Sequence, residues 1–269
     1  MNHISEQLEH WAKMKKEHST TCETSSDAQR QADAYNEMAG DLKYYDCPKC
    51  KNKGYIAVVE NDVMAMQYCS CKGMRLSKRL LAQSGINEDY KLETYRATED
   101  WQKRILAKAK DYLVNPQGWF YMGGAVGSGK SHICTAIVRE LIELGRESRY
   151  MMWRDDSTRL KASVNRPEEY AELIEPLKNV DVLYIDDFWK TTTGAPTTAD
   201  VNLAFEILNA RYNRKGLITI ISSEYHLNEL TEIDEAVGSR IYERAKGNRL
   251  DIAREKTRNS RTRRDTTMI

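Results

Sequence analysis

Apolar residues follow two different regimes along this chain. Ahead of residue 100 they are sparse. Ile4, Leu8 and Trp11 recur at i, i+4 and i+7, which predicts a helix over residues 1–18 with one narrow apolar stripe. Residues 19–46 are polar and read as a second, weaker helix or a linker, and residues 76–100 read as a mixed connector. From Trp101 onward short apolar runs alternate with longer segments of helical period. The pattern predicts helices over about 101–114, 130–144, 157–164 and 199–214, and strands at 119–122, 150–153, 181–185 and 217–222. From about 234 the chain reads as helical and increasingly basic. Short runs that are apolar on both faces, set between helices, are what a parallel sheet covered by helices requires. The second part is therefore expected to be an α/β domain.

The chain has 269 residues, enough for one ordinary domain and something smaller. With 30% charged residues, no stretch approaches the roughly 18 apolar residues of a membrane span. The first residues lack the apolar core of a signal peptide, so the expected location is cytoplasmic, with no membrane partner. The net charge of +1 conceals an asymmetry: residues 1–46 carry nine acids against five bases, and residues 240–269 ten bases against four acids. The basic end is either a solvated tail or a surface for phosphate.

Four of the six cysteines fall within 25 residues, as Cys47-x2-Cys50 and Cys69-x-Cys71 with eighteen residues between the pairs. In a chain with no export signal this spacing favours a metal over disulfides. Four thiolates at Cys47, Cys50, Cys69 and Cys71 predict a tetrahedral structural Zn²⁺ site, the first pair with Gly54 resembling one half of a zinc ribbon. So small a segment cannot bury a core of its own, and the metal would supply its folding energy. Free thiols and an iron–sulfur cluster are the alternatives. Cys22 and Cys134 are not expected as ligands, Cys134 being packed inside a helix.

The run Gly124-Ala-Val-Gly127-Ser128-Gly129-Lys130-Ser131 fits G-x4-G-K-[ST] between a predicted strand and a predicted helix. Its glycines let successive N–H groups point at phosphate oxygens, and the helix N-terminus favours anions. Lys130 is expected to reach the β- and γ-phosphates of ATP, and the Ser131 hydroxyl to ligate Mg²⁺. His132 follows directly; it borders the nucleotide or packs in the helix. The strand ending in Ile185-Asp186-Asp187 lies 55 residues further on, where Asp186 suits Mg²⁺ and Asp187 the attacking water. Asp187 is one methylene shorter than the glutamate many ATPases use, which predicts slow turnover of the kind a switch needs. A third apolar run ends in Ser222-Ser223-Glu224, and Arg240 and Arg244 share one helix face at i, i+4.

The order of these motifs from about Trp101 to Gly247 resembles the DnaC/DnaI-type replicative helicase loaders, AAA+ ATPases related to DnaA and to the IstB transposition ATPases. The likeness is greatest to the DnaC-like proteins of phages and mobile elements. It rests on Gly124–Ser131 with His132, Ile185-Asp186-Asp187, Ile221–Leu230, and Gly238-Ser-Arg240 with Arg244. It implies an AAA+ P-loop fold with a parallel sheet flanked by helices, plus a small N-terminal helical and zinc-binding domain. The division would be residues 1–75 (the cysteine module at 47–71), a linker at 76–100 and the ATPase at 101–269. The resemblance makes Lys130, Ser131 and Asp186 the ATP·Mg²⁺ ligands, Asp187 the hydrolytic carboxylate and Arg240 the arginine finger, with Arg244 one turn later. The family places Asn at the sensor position where this sequence has Glu224, so the resemblance leaves that role vacant or passes it to Ser223. The implied partners are a hexameric DnaB-type helicase gripped by residues 1–75, single-stranded DNA, and further copies of the chain. An IstB-like transposition ATPase and a zinc-dependent adaptor with a degenerate ATPase are the competing readings. A small-molecule kinase with a zinc-bound lid is disfavoured, since its cysteines would follow the phosphate loop.

Overall fold

The computed structural model describes residues 25–191 and 194–261. The Ile4, Leu8 and Trp11 stripe, Cys22 and the last eight residues of the basic end lie outside the described residues. The chain divides into two compact units, residues 1–75 and 76–269.

In the first unit, helix α1 (Ser25–Glu37) occupies the polar stretch. It precedes an antiparallel hairpin of β1 (Tyr55–Glu60) and β2 (Val63–Tyr68), with Glu60 opposite Val63. The hairpin turns at Asn61-Asp62, both left-handed with φ of 49° and 61°. Two such residues make the type I′ turn whose twist suits a two-residue loop. Hydropathy does not announce this hairpin, because Ile56–Val59 and Val63–Met66 are apolar runs without alternation. Helix α2 (Cys71–Ser84) starts at the last cysteine of the module. Buried apolar side chains are few among the described residues here: Ala28 is buried, Ala32, Ala57 and Met64 form one cluster, and the four cysteines with Tyr45 and Ile56 another.

The second unit contains α3 (Asp100–Val114), β3 (Phe120–Gly124), α4 (Lys130–Glu143), β4 (Ser148–Met152), α5 (Trp153–Ser163) and α6 (Pro167–Asn179). After these come β5 (Val182–Asp186), α7 (Thr198–Tyr212), β6 (Ile218–Ser222), α8 (Leu227–Ile233), α9 (Glu235–Arg244) and β7 (Arg249–Ile252). The five strands form one sheet in the order β4-β5-β6-β3-β7, and every pairing is parallel. Successive strand residues serve opposite faces. Phe120, Met122, Tyr184 and Ile220 pack with Ile133, Ile137 and Leu141 of α4, while Tyr121, Leu183, Ile185 and Ile221 pack with Leu203, Ile207 and Leu208 of α7. Covering both faces is why the inner strands β3, β5 and β6 are largely apolar, and it confirms the α/β class.

Two sequence expectations need correction. The chain beyond 234 is not helical to its end: α9 stops at Arg244, and Arg249–Ile252 joins the free edge of β3. Only Ile252 and, in part, Leu250 enter the core, and two apolar residues among charges give too short a period to register. Residues 76–100 are also more than a connector, because Leu80, Ile86, Leu92 and Tyr95 are buried in the cluster that holds Ile133 and Ile137.

Arg211 is fully buried and cross-ties the sheet's other end. Its guanidinium donates to Leu177 O (3.0 Å), Val180 O (2.8 Å), Ile218 O (2.7 Å) and Thr219 Oγ1 (2.9 Å). It thus closes the C-terminus of α6 and the entries to β5 and β6 together. Burial pulls this guanidinium down to about 9, against the nearby Asp181.

Candidate nucleotide-binding site and metal centre

Because β6 lies between β3 and β5, three strand tips converge at the carboxyl end of the sheet, where open α/β sheets bind ligands. The first tip carries the glycine loop. Gly124, Gly127 and Gly129 have φ of 99°, 69° and 88°, and a Cβ on Gly124 would stand 2.1 Å from Ile252 O. No side chain fits that approach. Ser128 Oγ donates to Ala125 O at 2.7 Å and braces the loop from inside. Lys130, 6% exposed, folds its ammonium onto the loop carbonyls Gly124 O (2.9 Å) and Ala125 O (2.7 Å). Burial draws this ammonium down from the usual lysine range, opposed by the carboxylates of Glu224 and Asp187.

The second tip carries Asp186. Its Oδ1 accepts from Ser131 Oγ at 3.0 Å, from Asp187 N at 3.1 Å and from the Ser222 hydroxyl; its Oδ2 accepts from Tyr150 OH at 3.2 Å. The motif serine and the strand-tip carboxylate, 55 residues apart in sequence, are therefore in contact. Beyond Asp186 the chain doubles back through Asp187 and Trp189, both left-handed at φ 51° and 62°. Non-glycine residues hold that conformation only where their surroundings impose it. Here Phe188 and Trp189 are fully buried and stacked at 4.8 Å, Phe188 N donates to Ser222 O at 2.8 Å, and Lys190 N donates to Asp187 O at 2.9 Å. The turn delivers Lys190 over the strand tip, where its Nζ meets Asp187 Oδ2 at 3.0 Å and Glu224 Oε1 at 2.7 Å. Burial works against this ammonium's charge, but the hydrogen bonds to Glu224 and Asp187 outweigh it and hold Lys190 above the usual lysine range. Sequence reading missed Lys190, since nothing in the spacing Asp187-Phe-Trp-Lys190 tells that the turn returns to the site.

The third tip corrects the sensor assignment. Ser223 is fully buried, its Oγ donating to Phe188 O at 2.8 Å and accepting from Tyr225 N at 3.2 Å. It does not face the site. β6 ends with Ser222 bonded to Asp186, and just beyond it Ser223 turns into the core while Glu224 lines the opening. A cleft of about 220 Å³ results, lined by residues 127–132 with Asp187, Lys190, Glu224, Tyr90 and Arg261. His132 is on its wall, stacked on Tyr90 at 4.6 Å, with its Nε2 2.8 Å from Lys91 O. Arg240 and Arg244 do not line it. Arg240 lies over Phe205 at 4.7 Å and donates to Ala236 O at 2.7 Å, and Arg244 donates to Lys215 O at 3.2 Å.

In the first unit the four cysteines are buried with their sulfurs all within 4.8 Å of one another. Cys47 Sγ is 3.7 Å from Cys69 Sγ, and Cys50 Sγ 3.7 Å from Cys71 Sγ. A tetrahedron with metal–sulfur arms of about 2.3 Å has edges of about 3.8 Å, so the donor set fits a tetrahedral thiophilic ion. Gly54 N donates to Cys50 Sγ at 3.3 Å, and Asn52 Oδ1 accepts from Cys47 N at 2.8 Å. These bonds set the knuckle before any ion is considered. The backbone N–H of Cys50 pulls the Cys47 thiol down to about 7, while burial pushes Cys71 up to about 12.

Residues 96–245 match the bacterial DnaA ATPase domain family. The phage-like element PBSX protein XkdC of Bacillus subtilis (strain 168) is 30% identical over 226 residues, covering 76% of this chain and 80% of that protein. The replicative helicase loader DnaC of Escherichia coli (strain K12) is 26% identical over 199 residues, covering 71% and 74%. A crystal structure of the DnaC helicase loader superposes with a TM-score of 0.52 at 19% identity, covering 62% of this chain and 97% of that one. No helix among the described residues is long and apolar enough to cross a membrane. With the five-stranded parallel sheet, the phosphate loop and these relationships in hand, the chain belongs to the DnaC-like AAA+ proteins of the bacterial DnaA ATPase family.

Proposed function

We propose that this chain is an ATP-dependent loader that binds a hexameric DnaB-type replicative helicase and helps place it on single-stranded DNA at the start of replication in the cytoplasm. The reading is supported by the meeting of Lys130, Ser131, Asp186 and Asp187 at one end of the sheet, in a chain related to DnaC. Backbone N–H groups of the loop and the N-terminus of α4 cradle the phosphates of ATP, and Lys130 exchanges its two carbonyl partners for phosphate oxygens. Ser131 and Asp186, a hydroxyl and a carboxylate 3.0 Å apart, are the hard oxygen donors that suit Mg²⁺, which neutralises charge on the phosphates when bound. Asp187 orients the attacking water. Its short side chain makes turnover slow, so that hydrolysis acts as an assembly switch. Arg240, with Arg244 beside it, supplies a guanidinium to the cleft of a neighbouring copy. Cys47, Cys50, Cys69 and Cys71 hold a structural Zn²⁺, and the part of the chain up to residue 75 engages the helicase.

The test is size exclusion with light scattering of the full chain mixed with a DnaB-type helicase, with and without ATP. Lys130→Ala and a deletion of residues 1–75 run beside it. A stoichiometric complex lost on the deletion is the expected result, and the Lys130→Ala lane reports whether ATP gates it. Absence of a complex with any replicative helicase would overturn the proposal and favour a transposition ATPase, for which duplex DNA binding is the next assay.

A further inference from the structure

Glu224 sits where the third strand tip opens onto the cleft, and Asp187 stands across from it. Two carboxylates facing a bound triphosphate would repel it. The structure holds them with one cation: Lys190 Nζ lies 3.0 Å from Asp187 Oδ2 and 2.7 Å from Glu224 Oε1, and all three side chains line the same cleft as Lys130. The backbone is committed to this placement, since the left-handed Asp187 and Trp189 fold the chain back and the buried Phe188–Trp189 stack anchors the turn.

We propose that Lys190 is the residue of this site that distinguishes ATP from ADP: a cation, supplied in cis, that leaves Asp187 for the γ-phosphate when ATP binds. The proposal rests on the ATPase reading above and adds the residue that senses the terminal phosphate. Before ATP enters, Lys190 neutralises Asp187 and Glu224, and the hydrolytic carboxylate is occupied. When the γ-phosphate arrives, the ammonium moves the short distance to its oxygens and keeps Glu224 as its second partner. Asp187 is then free to take a proton from the attacking water. ADP brings no group to this position, so Lys190 stays on Asp187. Glu224 is thereby the counter-charge that holds the sensing lysine at the mouth of the cleft.

The experiment measures ATP and ADP affinities of the full chain with Mg²⁺, together with steady-state hydrolysis, for wild type, Lys190→Met, Lys190→Arg, Glu224→Gln and the double variant Lys190→Met with Glu224→Gln. A charge-assisted hydrogen bond to phosphate predicts that Lys190→Met weakens ATP by about tenfold or more with ADP within about twofold. Lys190→Arg should retain the discrimination. Removing Glu224 in the Lys190→Met background should recover part of the lost ATP affinity, because an unopposed carboxylate no longer faces the γ-phosphate. Lys190 is partly exposed, and unchanged ADP binding by Lys190→Met doubles as the check that the fold is intact. Equal losses for ATP and ADP, or none for either, would overturn the role of Lys190 alone. A wild-type chain that binds neither nucleotide would instead overturn the ATPase reading, and the inference with it.

Discussion

The two units are held together by different means. The ATPase unit buries a continuous apolar core on both faces of its sheet, with Trp119, Trp153, Trp189, Phe120 and Phe188 all inaccessible to solvent. Among its described residues the cysteine unit buries four sulfurs, three alanines and a methionine. Dispersion and the hydrophobic effect account for the first, but little apolar area is buried among the described residues of the second. Two units of one chain therefore need not share one source of stability, and perturbations should separate them.

The largest separation should come from the metal proposed for the four cysteines. A structural Zn²⁺ site contributes about 10–16 kcal/mol of folding free energy, so chelation, or Cys50→Ser, should strip hydrogen-exchange protection from β1 and β2. The amides of β5 and β6 should keep theirs. Persistent protection of the hairpin without metal would show that the unit folds on packing alone. Next in size is Arg211→Met. It leaves five acceptors at the sheet's end without this donor, at about 1–3 kcal/mol for each one still buried and otherwise unpaired, and should lower the stability of the ATPase unit by roughly 3–5 kcal/mol. Thermal melting reads that loss, and metal content should not change. Asp186→Asn acts on the site and not on the core. Calorimetric titration should show ATP affinity in Mg²⁺ falling by about 1.5–3 kcal/mol, with little change in EDTA. An equal fall in EDTA would mean that Asp186 serves the fold and not the ion. The smallest effect tests local structure. Thr197 and Asp200 form a capping box at the start of α7, and Thr197→Ala should cost about 1 kcal/mol in urea denaturation. A cost near zero would mean that the Lys161–Asp200 ion pair fixes this helix end by itself.

The ATPase unit was more legible in the sequence than the cysteine unit for the same physical reason. Strands apolar on both faces stand out from their surroundings, and β3, β5 and β6 lie within about two residues of where hydropathy puts them. The glycine loop is legible because its geometry tolerates no side chain at Gly124. Helices α6 and α8 escaped, and so did three further features. β7 is four residues long and half charged. The β1–β2 hairpin hides in unalternating apolar runs. Lys190 reaches the cleft through a turn of two left-handed, non-glycine residues, a conformation that a sequence does not advertise when tertiary packing imposes it. The Ser223 sensor reading failed by one residue just past the end of β6, where Ser223 is buried and its neighbour Glu224 lines the cleft.

The strand order has one more consequence, at the margins of the sheet. Its outer strands are β4 and β7, five and four residues long. β4 passes at once into α5, and β7 alternates Arg249 and Asp251 with its two apolar residues. Short, charged borders give an incoming strand little backbone to pair with. Extension of the sheet from one molecule into the next by strand pairing is therefore disfavoured.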